Sequence, residues 1–298
     1  MRQTKGEKMK EKLINALISL VLTLCLPAGS LAAATDWPKQ LNLGLIPTES
    51  SDNITERFDN LAKYLEKKLN LDIKVQVATD YAGVITAMQF KHVDVAYFGP
   101  KSYVEAADRA GAEALVMEVA EDGTKGYKGI IITKKDSPIT NMEQAKGKVW
   151  AFTDPNSTSG TLVPTVYFVK TMKIDPEKYF SKVIYSGSHE ASILSIKAGK
   201  VDIASTNDLD LARGNGKQWQ TDKDFQILWT SDLIPGSPMA CRKDLPDSLK
   251  KALKEAFLSY NDKEGLKKLK LQGYTDVDDK TYNPIREQIE VKKQLAKK

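Results

Sequence analysis

The chain has 298 residues, 41% of them hydrophobic and 28% charged, a composition that excludes disordered, collagen-like and coiled-coil classes and leaves room for one large or two ordinary domains. Lys and Arg number 44 against 39 Asp and Glu, but five of the basic and two of the acidic residues fall before residue 35, so the remainder is nearly neutral and implies no nucleic-acid partner. The two cysteines are Cys25 and Cys241 and the two histidines His92 and His189; with so few soft ligands neither a metal site nor a cofactor is expected.

Residues 1–34 read as a secretory signal peptide: a basic stretch with Arg2, Lys5, Lys8, Lys10 and Lys12, an apolar run over 13–26, and small residues at Ala32-Ala33-Ala34. The order of these regions predicts cleavage after Ala34 and an extracytoplasmic protein. The apolar run is too short to cross a hydrocarbon core, which needs about 20 residues. Attachment of a lipid at Cys25 is disfavoured by Leu24 before it.

From residue 41 the pattern alternates strand with helix. Apolar runs at 41–46, 73–77 and 93–98 read as strands, and helical spacing of apolar residues over 55–69 and 82–90 separates them. A strand at 129–133 follows, and residues 134–138 look like the exit from a first lobe. A second series then begins, with strands at 148–152, 183–185 and 201–205 and helices at 161–172 and 191–198. Residues 233–242 cross back, and the lysine-rich remainder is helical over 248–260, 264–271 and 284–295. Such alternation argues for parallel βαβ units in open α/β sheets.

One unit occurs twice. Setting Val93-Asp94-Val95-Ala96 over Val201-Asp202-Ile203-Ala204 places Ile85 over Ile193, Met88 over Ile196, Tyr81 over His189 and Gly99 over Asn207. Ligands of open α/β sheets bind beyond the carboxyl ends of strands, so these loop residues are expected to line a cleft between two lobes.

Ser157-Thr158-Ser159-Gly160 follows one predicted strand and precedes a helix. Three hydroxyls beside unpaired backbone N–H groups make a cradle for a tetrahedral oxyanion, and ordinary helix capping, which needs one such residue, is the alternative. His189 offers an imidazole N–H, and Tyr81 and Tyr97 offer phenol donors and flat walls. His92, in a polar turn, is expected to play no part. An enzyme reading has only Ser157 with His189 as nucleophile and base, and no G-x-S-x-G elbow surrounds the serine; a binding protein is expected instead.

With these motifs in hand, the chain resembles the phosphonate-binding periplasmic component of ABC transporters, within the wider phosphate, phosphite and phosphonate substrate-binding group. The resemblance runs from Leu43 to about Arg242 through Thr48-Glu49-Ser50, Asp80-Tyr81-Ala82-Gly83, Val93 to Gly99, Asp154 to Gly160, Gly187-Ser188-His189-Glu190 and Leu233-Ile234-Pro235-Gly236. It implies an α/β type II periplasmic-binding-protein fold, two lobes joined by two crossings and closing on an anion. The expected division is residues 35–133 with 236–298 for lobe 1 and 134–235 for lobe 2. It also implies phosphonate oxygens held by Ser157, Thr158, Ser159 and His189, with Tyr81 and Tyr97 lining the same pocket.

Members of the group that take aminoethylphosphonate bring two acidic residues to the ligand amine, one in a Pro-Gly-Asp-Pro turn and one in an Asn-Thr-Glu segment. Here the turn is Pro235-Gly236-Ser237-Pro238, and the segment is Thr206-Asn207-Asp208, out of step by one residue. A buried cation without counter-charges is costly, so the expected ligand is a small phosphorus oxyanion without an amine, such as phosphite or methylphosphonate. Asp208 either accepts a hydrogen bond from a singly protonated ligand or caps the helix that follows. The expected partners are this ligand and a membrane permease, the chain itself being a monomer. Phosphate or another oxyanion, and a sensor in place of a transport component, are the alternatives.

Overall fold

Two sheets organise the chain. The computed structural model describes residues 36–295; the readings made on residues 1–34, the signal peptide and Cys25, lie outside them. In chain order the elements are β1 (Gln40–Leu45), α1 (Ser51–Leu69), β2 (Asp72–Val77), α2 (Tyr81–Gln89), β3 (Val95–Tyr97), α3 (Pro100–Ala110) and β4 (Ala112–Ala120). Next come β5 (Gly126–Lys134), β6 (Val149–Phe152), a helical run α4 made of Thr158–Leu162, Val163–Val166 and Tyr167–Met172, β7 (Lys182–Tyr185), α5 (His189–Lys197), β8 (Ile203–Asn207), α6 (Asp208–Arg213) and β9 (Phe225–Pro235). The chain returns through β10 (Pro238–Arg242), α7 (Asp247–Leu258), α8 (Lys263–Leu269), β11 (Leu271–Asp276) and α9 (Asn283–Leu295).

The first sheet has the order β11-β4-β10-β3-β1-β2 and the second β7-β6-β8-β5-β9. In each, a parallel core is built from the βα units (β2-β1-β3 and β7-β6-β8) and extended by antiparallel strands. Alternation sorts the second sheet's side chains onto two faces. Ile130, Ile132, Ala151 and Ala204 pack on one side with Ile193, Ile196 and Trp219, while Ile131, Trp150, Phe152 and Ile203 pack on the other with Phe168 and Phe180.

The strand read at 129–133 was expected to close the first lobe. As β5 it instead lies in the second sheet, antiparallel to β8 and β9. The reason is its length: β5 starts at Gly126, directly after the turn that ends β4, so the chain changes sheet at residues 121–125, ahead of the charged stretch 134–138. It returns at Gly236, between β9 and β10, where a Cβ on the glycine would stand 2.3 Å from the Glu118 carbonyl oxygen.

The 108-residue repeat is reproduced in three dimensions. α2 and α5 are nine-residue helices capped by Asp80 and Ser188, whose side chains accept the N–H groups of Gly83 and Ala191. Asp94 and Asp202 each accept a backbone N–H at 2.8 Å from the neighbouring parallel strand, Asn42 in the first sheet and Val149 in the second. The aspartate of each Val-Asp-x-Ala thus fixes strand register, and Gly99 and Asn207 become the N-caps of α3 and α6.

α4 begins at Thr158 rather than at residue 161, and its first turns are π-wound. Pro164 cannot donate to the carbonyl of Gly160 four residues back. That carbonyl is taken by the Thr153 N–H at 3.0 Å and the Ser205 hydroxyl at 2.7 Å, so the proline's missing bond ties the helix start to the ends of β6 and β8.

Candidate functional site

The carboxyl ends of β1, β3, β6 and β8 open onto one small cavity between the sheets. It is lined by Ile46, Thr48, Tyr81, Tyr97, Gly99, Tyr127, Ser157, Thr158, His189, Asn207, Leu209, Asp210, Arg213 and Ser237. Tyr81, Thr158 and His189 are first residues of α2, α4 and α5, while Gly99, Ser157 and Asn207 are N-caps. Helix N-termini leave backbone N–H groups unpaired and carry partial positive charge, so their convergence creates an anion-binding environment.

Of the residues expected from the sequence, Tyr81, Tyr97, Ser157, Thr158 and His189 line the cavity, and Ser159 and Asp208 do not. Ser157 is both cap and pocket residue: its Oγ accepts the Gly160 N–H at 3.1 Å and stands 3.3 Å from His189 Nε2. Gly160 makes this possible, since a Cβ there would lie 2.1 Å from Thr153 Oγ1 and 2.9 Å from Ser157 Oγ. Thr158 Oγ1 accepts the Lys101 N–H at 2.9 Å from the opposite sheet's α3, leaving its own proton for another acceptor. Ser159 sits just behind the lining, 3.4 Å from Asn207 Nδ2. Tyr81 is 1% exposed and its hydroxyl has no hydrogen-bond partner among the described residues.

Asp208 is turned away from the cavity altogether. Its Oδ1 accepts the N–H groups of Lys128 at 3.0 Å and Leu209 at 2.9 Å, and it does not line the cavity. Asn207 occupies the cap position of α6 with its side chain on the Asp210 N–H. Helix winding then turns Leu209 and Asp210 inward and Asp208 away.

The sequence reading missed Thr48, Tyr127, Asp210 and Arg213. Asp210 and Arg213 form a buried ion pair at 2.7 Å, legible as opposite charges at i,i+3 on a short helix. Tyr127 carries no local signal, because it reaches the pocket only through the placement of β5 in the second sheet. Burial pushes the Asp210 carboxyl up, but Arg213, His189 and Arg57 together outweigh it and hold the group at about 2. Burial lowers the His189 imidazole against the pull of Asp210, so it is neutral at pH 7. Burial raises the Tyr81 and Tyr97 hydroxyls, keeping them protonated donors.

Hydrogen bonds cross the cleft around the cavity. Glu190, beside His189, accepts the Ser50 N–H at 2.6 Å and the Asn53 amide at 2.7 Å, both at the start of α1, and its own N–H donates to the Thr48 carbonyl at 3.1 Å. Lys101 Nζ donates to Asn156 Oδ1 at 2.7 Å. Arg213 Nη2 reaches the Leu269 carbonyl at the end of α8 at 3.3 Å.

Residues 43–282 match the model of the ABC transporter phosphonate periplasmic substrate-binding protein family. The chain belongs to this family. It is 37% identical over 233 residues to the phosphonates-binding periplasmic protein of Escherichia coli strain K12, covering 77% of this chain and 68% of that one. It is 30% identical over 257 residues to the phosphate-import protein PhnD of Mycolicibacterium smegmatis, covering 81% and 79%. Among solved structures, a binding-protein component of a phosphonate ABC transporter from Pseudomonas aeruginosa superposes with a TM-score of 0.80 at 35% identity, covering 84% and 85% of the two chains. The fold is therefore the two-lobe type II arrangement of periplasmic binding proteins. Family membership makes this a substrate-binding protein of the periplasmic class.

Proposed function

We propose that this protein is the extracytoplasmic receptor of an ABC importer for a small phosphorus oxyanion that carries no amine, phosphite or methylphosphonate being the best fits. The two sheets are then the two lobes, with crossings at residues 121–125 and at Gly236, and the ligand is held by Ser157, Thr158 and His189 with Tyr81 and Tyr97. Residues 1–34 act as the export signal, and the receptor works as a monomer that presents its closed form to the permease.

The observation that carries the amine-free reading is the identity of two pocket residues. Ser237, in the Pro-Gly-x-Pro turn, and Leu209, after Thr206-Asn207-Asp208, both line the cavity, and neither supplies a charge for an ammonium group. The acid present, Asp210, is already paired with Arg213, whose guanidinium would repel a cation in so buried a site. A binder is supported over a hydrolase by the geometry of His189. Ser157 Oγ at 3.3 Å and Asp210 Oδ2 at 3.9 Å both lie on the Nε2 side, while Nδ1 is 3.1 Å from Thr206 Oγ1. A catalytic triad instead sets its carboxylate on the nitrogen opposite the serine.

A second reading, phosphate as ligand, is favoured by the 30% identity to a protein named for phosphate import. Titration calorimetry against phosphite, methylphosphonate, 2-aminoethylphosphonate, phosphate and sulfate separates the two. Heat from phosphite or methylphosphonate with none from 2-aminoethylphosphonate supports the amine-free reading. Preference for phosphate replaces it with the second, and tight binding of 2-aminoethylphosphonate overturns it.

A further inference from the structure

Asp210 is the only carboxylate that lines the oxyanion cavity among the described residues. Every other polar side chain there can donate a hydrogen bond. The Asp210 carboxylate is fixed on all sides: Oδ1 takes the Arg213 guanidinium at 2.7 Å, Oδ2 takes the Asn207 amide at 2.7 Å, and its backbone N–H is held by Asn207 Oδ1 at 2.8 Å. Oδ2 lies 3.9 Å from His189 Nε2, beside the donor expected to meet the ligand. A carboxylate oxygen has two acceptor positions, and only one on Oδ2 is occupied by Asn207. An ionised acceptor placed among donors repels a fully deprotonated oxyanion and rewards an oxyanion that still carries an O–H.

We propose that Asp210 is the specificity-determining acceptor that reads the acidic proton of the ligand, so that the site takes singly protonated phosphorus oxyanions and rejects tetrahedral anions without a proton, sulfonates and sulfate. The inference rests on the proposed oxyanion site and names which of its anions are admitted. It moves to Asp210 the role that the sequence left open for Asp208. The groups facing Asp210 from the surrounding elements are His189 on α5, Arg213 and Asp208 on its own helix, Arg57 on α1, Glu118 on β4, Tyr127 on β5, Tyr81 on α2 and Tyr97 on β3. Burial keeps the imidazole neutral and the phenols protonated at neutral pH. Lys101, lowered by burial to about 8, titrates nearest the relevant range, but it donates to Asn156 Oδ1, does not line the cavity, and contributes equally with and without Asp210.

Methylphosphonate and methanesulfonate have the same shape and differ in the proton that only the former retains near neutral pH. Calorimetry on the wild-type protein at pH 6.5 is expected to show methylphosphonate bound at least 100-fold more tightly, with its affinity falling about tenfold per pH unit once the free ligand loses its second proton. In Asp210→Asn the preference is expected to shrink to tenfold or less and the steep fall with pH to flatten. Because Asp210 also anchors Arg213, the wild-type ligand comparison and pH series stand independently of how well the variant folds. Wild-type binding of the two ligands within tenfold overturns the role of Asp210 and leaves the oxyanion site intact. A folded Asp210→Asn with unchanged preference does the same, and failure of both ligands to bind wild type overturns the site itself.

Discussion

The Glu190 carboxylate lies 2.6 Å from the backbone N–H of Ser50, across the mouth of the cleft and at the N-terminus of α1. It also accepts the Asn53 amide and the Gln218 side chain. One acidic side chain therefore holds the two sheets' elements together while touching none of the cavity. A contact present only in the closed state raises the closed population, and apparent affinity scales with that population.

Glu190→Ala is accordingly expected to weaken ligand binding about tenfold, a loss of about 1.4 kcal/mol, consistent with a net charge-assisted hydrogen bond. The loss is expected in the dissociation rate, measured by stopped-flow fluorescence, with the melting temperature of the ligand-free protein little changed. An unchanged dissociation rate would show that closure does not depend on this side chain.

Gly160 packs where no Cβ fits, against Thr153 and Ser157. Gly160→Ala should push the Ser157 hydroxyl out of place and destabilise the fold by about 1–3 kcal/mol through overpacking. Thermal melting with calorimetry on the same sample checks this, the expected outcome being a lower melting temperature together with lost binding. Full binding with an unaltered melt would mean the cradle tolerates the methyl group.

If Leu209 and Ser237 exclude amines by lacking charge, the double variant Leu209→Glu with Ser237→Asp should reverse the selectivity. Binding of 2-aminoethylphosphonate relative to methylphosphonate is expected to rise at least 100-fold, read by competition calorimetry. No gain by a folded variant would place the exclusion elsewhere, in the Arg213 guanidinium.

Glu118 is 2% exposed, and burial raises its carboxyl above the ordinary range against the pull of Arg213 and Arg57. The folded state thus keeps a proton over a range where the unfolded chain has released it. The stabilisation this gives is complete below the unfolded pKa and is lost as pH rises through the folded one. Glu118→Gln is expected to match wild type at pH 4 and to exceed it at pH 8 by about 1 kcal/mol, or about 2–4 °C. A variant less stable at pH 8 would show that the buried charge is paired to net benefit.

Much of the site was legible because the chain repeats itself. The 108-residue offset sets Tyr81 over His189 and Gly99 over Asn207, and those pairs meet at the cavity because each Val-Asp-x-Ala aspartate locks its strand to the neighbouring one. Ser157 and Thr158 announced themselves as hydroxyls at a helix start. Asp208 and Asp210 could not be told apart in the same way. They are separated by two positions on a short helix, and the side chain that faces the pocket is set by Asn207 taking the cap. Tyr127 and the sheet assignment of β5 were hidden for a different reason. An antiparallel strand inserted between two others, as β5 is between β8 and β9, is decided by long-range pairing, and neither its apolar pattern nor its neighbours in sequence record which sheet it joins.

The most direct test of the oxyanion site is a crystal structure of the purified protein with methylphosphonate. The phosphonate oxygens are predicted to lie about 2.6–3.1 Å from Ser157 Oγ, Thr158 Oγ1 and His189 Nε2, with the methyl group toward Leu209. Density for the ligand outside this cavity, or against Arg57 and Lys268 in the outer cleft, would contradict the assignment of the helix N-termini as the binding site.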